Sequence, residues 1–418
     1  MKPSRATAVL LPLLAAVLAA PSKAQVPDSV TAAGSAPTRS LADLGLAGYQ
    51  RAAVRAHPRG TMVAVTVRIP SGSAQDAPGR EGTAWLLGGV RAAQIEARLD
   101  PARAALTARV ERGHTVFTLL VVPDAWQTAW RTVADVLFDA PVPAALVEEH
   151  RSGLLAGLTF EEGSPARAFH QEAAALLGDP GSAWTRPLRG TPESVATLDP
   201  ADLDAYRRDH YVRGRAAVAV VGPVEDAAAA EAPSAPGAQG KAWTLGDRHV
   251  LVREVTSTWL AVVYPAPAGM SRTTLELVAH LVLEELDPVP PAPDRFGVEV
   301  RLDDAPGGPV MVVEASVLPE AADRWEARIT GVVRELAEER MEDDFFRWRR
   351  RRFRAARLLE EARPEAEAER VAADLLRDGA PRALGVDIWA LDARSLQLAV
   401  GSLGEPRILR LGPDLAQP

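Results

Sequence analysis

The sequence predicts an α+β protein of two similar domains, each an antiparallel-rich sheet packed with helices. Three observations predict it. The order strand, helix, strand pair, helices occurs once in the first half of the 418 residues and again in the second. Between the halves runs "EDAAAAEAPSAPGAQGKA" (Glu225–Ala242), which reads as a linker. The composition, 47% hydrophobic and 24% charged, is that of globular protein.

The elements follow in chain order. Lys2 and Arg5 precede an apolar run, Ala8–Ala20, and Ser22 and Ala24 form a small-x-small site before Gln25. This predicts a secretory signal peptide over residues 1–24, too short to span a bilayer comfortably. Residues 25–45 read as a flexible leader. With the Ala/Arg/Pro-rich composition, the signal points to a bacterial periplasmic or secreted protein. The chain has no cysteine, which excludes disulfides, cysteine zinc sites and thiol catalysis. A net charge of −8 argues against a general nucleic-acid binder.

The first domain is expected over 46–228. "TMVAVTVRIP" (Thr61–Pro70) alternates and is β-branched, so it reads as a strand. "TAWLLGGVRAAQIEARL" has helical content that Gly88 and Gly89 should weaken or break. "ALTARVERGHTVFTLLVV" (Ala105–Val122) reads as two strands around a turn near Arg112 and Gly113. A helix follows with Asp124 as its cap and Trp126, Trp130, Val133, Val136 and Leu137 on one face. Helices are expected over 143–159 and 164–177. "TPESVATLDPADLDAYRRDHY" gives two short helices, each with Pro at its start and Thr or Asp as cap. "RAAVAVVGPV" is a buried strand. A linker over 229–243 leads to the second domain, 244–418. There a strand at Trp259–Gly269, a helix at Thr273–Leu286, two strands, and helices at 321–340, 342–363 and 365–377 repeat the plan.

In this order the pieces resemble the insulinase/pitrilysin family of zinc peptidases, the inverzincins. "VAVTVRIPSGSAQDAPGREGTAWLL" is similar to the family's first strand, glycine-serine loop and "G-x-A-H-L-L-E-H" helix start. "LRGTPESVATLDPADLDAYRRDHYVRGRAAVAVVGPV" is similar to its "G-T-x-E-x-I…V-V-G-D" block. The resemblance covers nearly all of the mature chain. It implies a zinc site with two histidines at i and i+4 on one helix, a glutamate between them as general base, and a distal glutamate. Those positions fall on Trp85, Gly89, Gly88 and Gly157. None of them can bind zinc or move a proton, so no catalytic residue, metal or cofactor is expected, and Trp85 is expected to fill part of the zinc cavity.

Other ligands were sought among the seven histidines. His57 and His114 fall in loops or turns, His150 sits beside Glu148 and Glu149, and His280 has i, i+4 spacing to Glu284. A catalytic zinc needs three converging ligands, and solvated or core-edge histidines are the expected reading for each. Inactive subunits of the family contribute an Arg and a Tyr from the second domain. Arg295 and Arg301 are present there without a nearby Tyr, which leaves Arg295 as the candidate. The family also binds peptide along an edge strand, here Leu106–Arg112 with Thr107, Ala108 and Arg109, and backbone pairing needs no particular side chain. "FFRWRRRRFRAAR" (Phe345–Arg357) reads as a solvated helix paired with flanking acids.

The resemblance therefore implies a catalytically inactive, exported insulinase-like protein. Its expected role is the structural subunit of a heterodimeric peptidase, enclosing peptides cut by an active partner. The alternative is a stand-alone binding or scaffold protein of the cell envelope, as a homodimer.

Overall fold

β2 (Val63–Ile69) shows how the chain is built, because nearly every residue in it is buried. Strand side chains alternate between faces, so burial of consecutive residues means that both faces are covered. The computed structural model describes residues 40–58, 60–178, 181–225, 248–267, 269–288, 292–339, 341–382 and 388–414. The expected signal peptide, most of the expected leader and the expected linker lie outside the described residues.

β2 belongs to a five-stranded sheet ordered β1 (Arg51–Ala56), β5 (Ala217–Gly222), β2, β4 (Thr115–Val121), β3 (Ala104–Val110). A second sheet is ordered β6 (Arg248–Val252), β10 (Arg407–Gly412), β7 (Thr258–Pro265), β9 (Gly308–Val317), β8 (Arg295–Ala305). In each sheet one edge pair, β1·β5 or β6·β10, is parallel, and the other pairs are antiparallel. The second order maps strand for strand onto the first, so the repeat in the sequence is a repeat of topology.

The helices repeat too. In the first half α1 (Thr83–Glu96) follows β2, and α2 (Trp126–Phe138), α3 (Ala144–Phe160) and α4 (Pro165–Ala175) follow β4. In the second, α7 (Arg272–Leu286) follows β7, and α8 (Ala322–Glu338), α9 (Asp343–Glu361) and α10 (Pro364–Asp378) follow β9. Two short helices, α5 (Pro192–Ala196) and α6 (Pro200–His210), lead into β5, and α11 (Ala393–Gly401) precedes β10. Pro192 and Pro200 start α5 and α6, and the side chains of Thr191 and Asp199 accept the first free N–H groups.

On one face of the first sheet, Val63, Val65, Val67 and Ile69 join Trp130, Val133 and Leu137 of α2 and Leu86, Leu87 and Val90 of α1. Its opposite face is made of small residues, Ala53, Ala64, Ala217 and Ala219, with Val221. That face is covered by Ala368, Val371, Ala372 and Leu375 of α10, a helix of the other half. The second sheet reciprocates. Its opposite face, including Ala261, Val263, Val312, Leu409 and Leu411, is covered by Phe169 and Ala173 of α4 with Leu176 and Leu177. The two halves exchange equivalent helices.

Several elements differ from expectation. α1 runs unbroken through Gly88 and Gly89. Packing overrides their low propensity: Gly88 lies so close to β3 that a Cβ there would stand 2.5 Å from Val110 Cγ2. Asp124 does not cap α2. The residue before that helix is Ala125, and Asp124 pairs with Arg103. Residues 40–45, expected in the leader, form turns with Leu44 buried, and Trp130 Nε1 donates to the Gly45 carbonyl at 3.1 Å. Strands β1, β6 and β10 and helix α11 were not anticipated.

Candidate functional site

The leading turn of α1 is fixed from two sides. Gly82 precedes the helix at φ +98°, and a Cβ there would meet the Arg189 carbonyl at 2.8 Å. With no side chain at that position, the carboxylate of Asp76 accepts the N–H of Gly82 at 2.8 Å and of Ala84 at 2.9 Å. Burial raises the Asp76 carboxyl to about 7 despite these two donors. Across the turn, Gly190 sits at φ +75°, where a Cβ would be 2.2 Å from the Glu81 carbonyl. Ser194 Oγ donates to that same carbonyl at 2.8 Å. The segments around Gly82 and Gly190, both part of the resemblance, thus close on each other.

This closure delivers Arg189 to two of the four expected zinc-motif positions, Trp85 and Gly157. Its guanidinium lies 5.6 Å from the centroid of the Trp85 ring. The same group is 3.1 Å from where a Cβ on Gly157 of α3 would sit, and it donates to both oxygens of Glu161 at 2.8 Å. A Cβ on Gly89 would stand 3.2 Å from His150 Nδ1. Trp85 and Gly157 therefore share one place, filled by an arginine stacked on the indole and its carboxylate partner, while Gly89, one turn along α1 from Trp85, meets His150. Gly88 faces β3 instead. These residues do not fit a zinc ion: the motif positions hold no donor atom, and a guanidinium that cannot deprotonate sits among them. Among the described residues no group of three or more His, Asp or Glu side chains converges to hold a metal.

The other three histidines considered as ligands have different surroundings. His114 Nδ1 is 3.2 Å from Arg68 Nη2, and burial, helped by Arg68, pushes its pKa down to about 3. His280 is 3.4 Å from Glu284 but packs on the Phe353 ring of α9, and burial lowers its pKa. His57 lies in the turn after β1, and its backbone N–H donates to the Gly222 carbonyl at 2.5 Å.

The expected peptide-facing residues separate. Thr107, Ala108 and Arg109 are exposed on β3, the open edge of the first sheet, and Gly88 places α1 against that strand. Arg109 is held by Glu369 and Glu111, each at 3.0 Å. Arg295 lies in the other sheet. Its side chain is 6% exposed, pairs with Asp287 and donates to the Leu286 carbonyl at 3.4 Å. It is folded onto the end of α7, not presented outward. The arginines of α9 find their acids mainly across the fold on α7: Arg349 on Glu284 and Glu285, Arg352 on Glu284 and Arg357 on Glu276.

Solved structures share this architecture. A peptidase M16 inactive domain from Pseudomonas fluorescens superposes with a TM-score of 0.72 at 14% identity, over 89% of this chain and 97% of that one. The fold is that of M16 peptidase domains. A protease from Helicobacter pylori superposes at 0.69 with 14% identity, over 86% and 97%. The periplasmic protease PqqL from Escherichia coli superposes at 0.65 with 12% identity, over 87% of this chain and 45% of that one. The insulinase-like resemblance and the two-sheet α+β class agree with these structures. No protein-family model matches the sequence, and no curated protein matches it.

Sequence reasoning singled out Trp85, Gly88, Gly89 and Gly157 but missed Arg189 and Asp76. Arg189 stood inside the quoted "LRGT" block, next to the glycine that brings it to α1. Glu161, whose partner Arg189 lies on a different segment, carried no local signal in the sequence.

Proposed function

We propose that this chain is a non-catalytic M16-fold subunit, exported from the cell, that holds peptide along β3 for an active M16 partner. The observation that carries the reading is the filling of the motif positions by Arg189, Trp85 and Glu161 beside an edge strand that stays exposed. The packing frame is kept while every donor is gone. Thr107, Ala108 and Arg109 are the peptide-facing residues in this reading, and Arg295 is not required. The match to under half of PqqL supports a protein that a second unit completes. The apolar run and cleavage site before Gln25 support export. Among the described residues no helix is long and apolar enough to cross a membrane.

The test is co-expression with an H-x-x-E-H homologue from the same genome. The two chains should co-purify, and peptide cleavage should require the homologue and rise when this chain is added. A homodimer that ignores the homologue would support the scaffold alternative instead. Stoichiometric zinc and chelator-sensitive cleavage by this chain alone would overturn the non-catalytic reading.

A further inference from the structure

A cavity of about 640 Å³ opens where the turn after β3, helix α4 and the segment before Gly190 meet β8 and α10. It is lined by eight arginines and five carboxylates, so its sign is opposite to that of a chain carrying −8 overall. Five of the arginines are matched by carboxylates, among them Arg189 by Glu161, Arg301 by Glu314, and Arg272 and Arg377 by Asp304.

Three are not. Among the described residues Arg68, Arg112 and Arg167 have no carboxylate within ion-pair distance. Arg68 hydrogen-bonds His114, whose low pKa keeps the ring neutral, and feels Asp304, already paired with Arg272 and Arg377, without contacting it. Arg112 Nε donates to the Trp184 carbonyl at 2.9 Å, and Arg167 Nη1 to the Leu158 carbonyl at 2.8 Å. Each guanidinium has five N–H donors, so most are left for something else. Half-buried positive charge without a direct ion pair is costly, and the cost falls when a ligand brings the carboxylate. Apolar side chains, including Leu158, Leu177 and Leu188, share the walls, so a bare ion would leave much of the surface unmatched.

The position narrows the ligand further. Arg109, the last arginine of β3, and the turn that follows it both line the cavity. A strand of peptide added along β3 runs toward this basic space. We propose that the cavity receives carboxylates of an extended acidic peptide, with Arg68, Arg112 and Arg167 as the receiving groups. This rests on the peptide-holding reading above and adds a substrate class to it.

Fluorescence anisotropy with the full chain tests it. The probes are labelled heptapeptides of alanine with three glutamates, three glutamines or three lysines, each with a free or amidated C-terminus. The glutamate peptide should bind about tenfold more tightly than the glutamine peptide, and the gap should close as NaCl rises from about 0.05 to 0.3 M. If amidation weakens the glutamate and glutamine peptides alike, the terminal carboxylate is received as well; if it leaves both unchanged, the side chains alone are. Arg112→Gln with Arg167→Gln should remove the preference and leave glutamine-peptide binding unchanged, and the Lys versions should restore most of it. Equal binding of all three compositions would overturn the acidic preference and leave peptide holding intact. Failure of every peptide to bind would overturn both.

Discussion

Helices α1 and α7 hold the same place in the two halves, yet their outer faces are covered by different means. α7 is capped locally, Ser271 Oγ accepting the Thr274 N–H at 3.1 Å, and its polar face is closed by α9. Phe353 covers His280, and Arg357 and Arg352 bind Glu276 and Glu284 at 3.1 and 3.2 Å. α1 is capped from a distance by Asp76, and on the side facing α3 it meets Arg189 over Trp85 and His150 near Gly89. On α7 the covering groups come from one helix, α9; on α1 they come from α3 and from the segment before Gly190. The first half keeps β3 as an exposed edge beside α1, and no carboxylate or imidazole stands at Trp85, Gly88 or Gly89.

The largest expected effect tests the seal. Phe353 is 3% exposed, so Phe353→Ala should cost about 3–5 kcal/mol, read from the shift in a urea unfolding midpoint. A loss below about 1 kcal/mol would mean that α9 does not close α7, and the contrast would collapse.

Next comes the remote cap. The Asp76 carboxyl rises from an ordinary 3.8 to about 7 on folding, burial being the main cause. Between those values the folded state holds a proton that the unfolded state has lost, so this group's contribution is greatest in acid and falls as pH rises through about 7. The amplitude is of order 2–4 kcal/mol. Asp76→Asn should remove it: the melting temperature of the parent minus that of the variant should fall between pH 4 and 7.5. A flat difference would mean that the carboxylate stays ionised against its two N–H groups.

Trp85 is half-buried, so Trp85→Ala should cost about 1–2 kcal/mol, less than a fully buried aromatic. It should leave the rate constant of an active partner unchanged. A lower rate with an unchanged unfolding midpoint would give the indole a part in the chemistry. The smallest effect is expected at Gly89. A new Cβ would press only on the partly exposed His150 ring, which can turn aside, so Gly89→Ala should stabilise by about 0.5–1 kcal/mol. Destabilisation would show that the ring is pinned.

The sequence announced the long β-branched strands and the capped helices because their signals are local. Val63 to Ile69 declares itself by alternation, and Thr191 and Asp199 by the prolines after them. β1, β6 and β10 are short and carry arginines at or near their ends, and their strand character comes from partners far along the chain, as Arg51 pairs with Ala217. The same division holds at the site. The spacing on α1 placed Trp85, Gly88 and Gly89, but what fills the space depends on Gly190 fitting under Glu81, a contact no local pattern encodes.

The exchanged helices make a molecule that is symmetric in space and unequal in time. The second sheet finds its outer cover, α4, already made when its own strands appear. The first sheet is complete at Gly222, and its cover begins at Pro364, about 140 residues later. At 5–20 residues per second that is roughly 10–30 s of synthesis. During that interval a flat face of alanines and valine has nothing to lie against, so the N-terminal half depends on its C-terminal sibling to become finished.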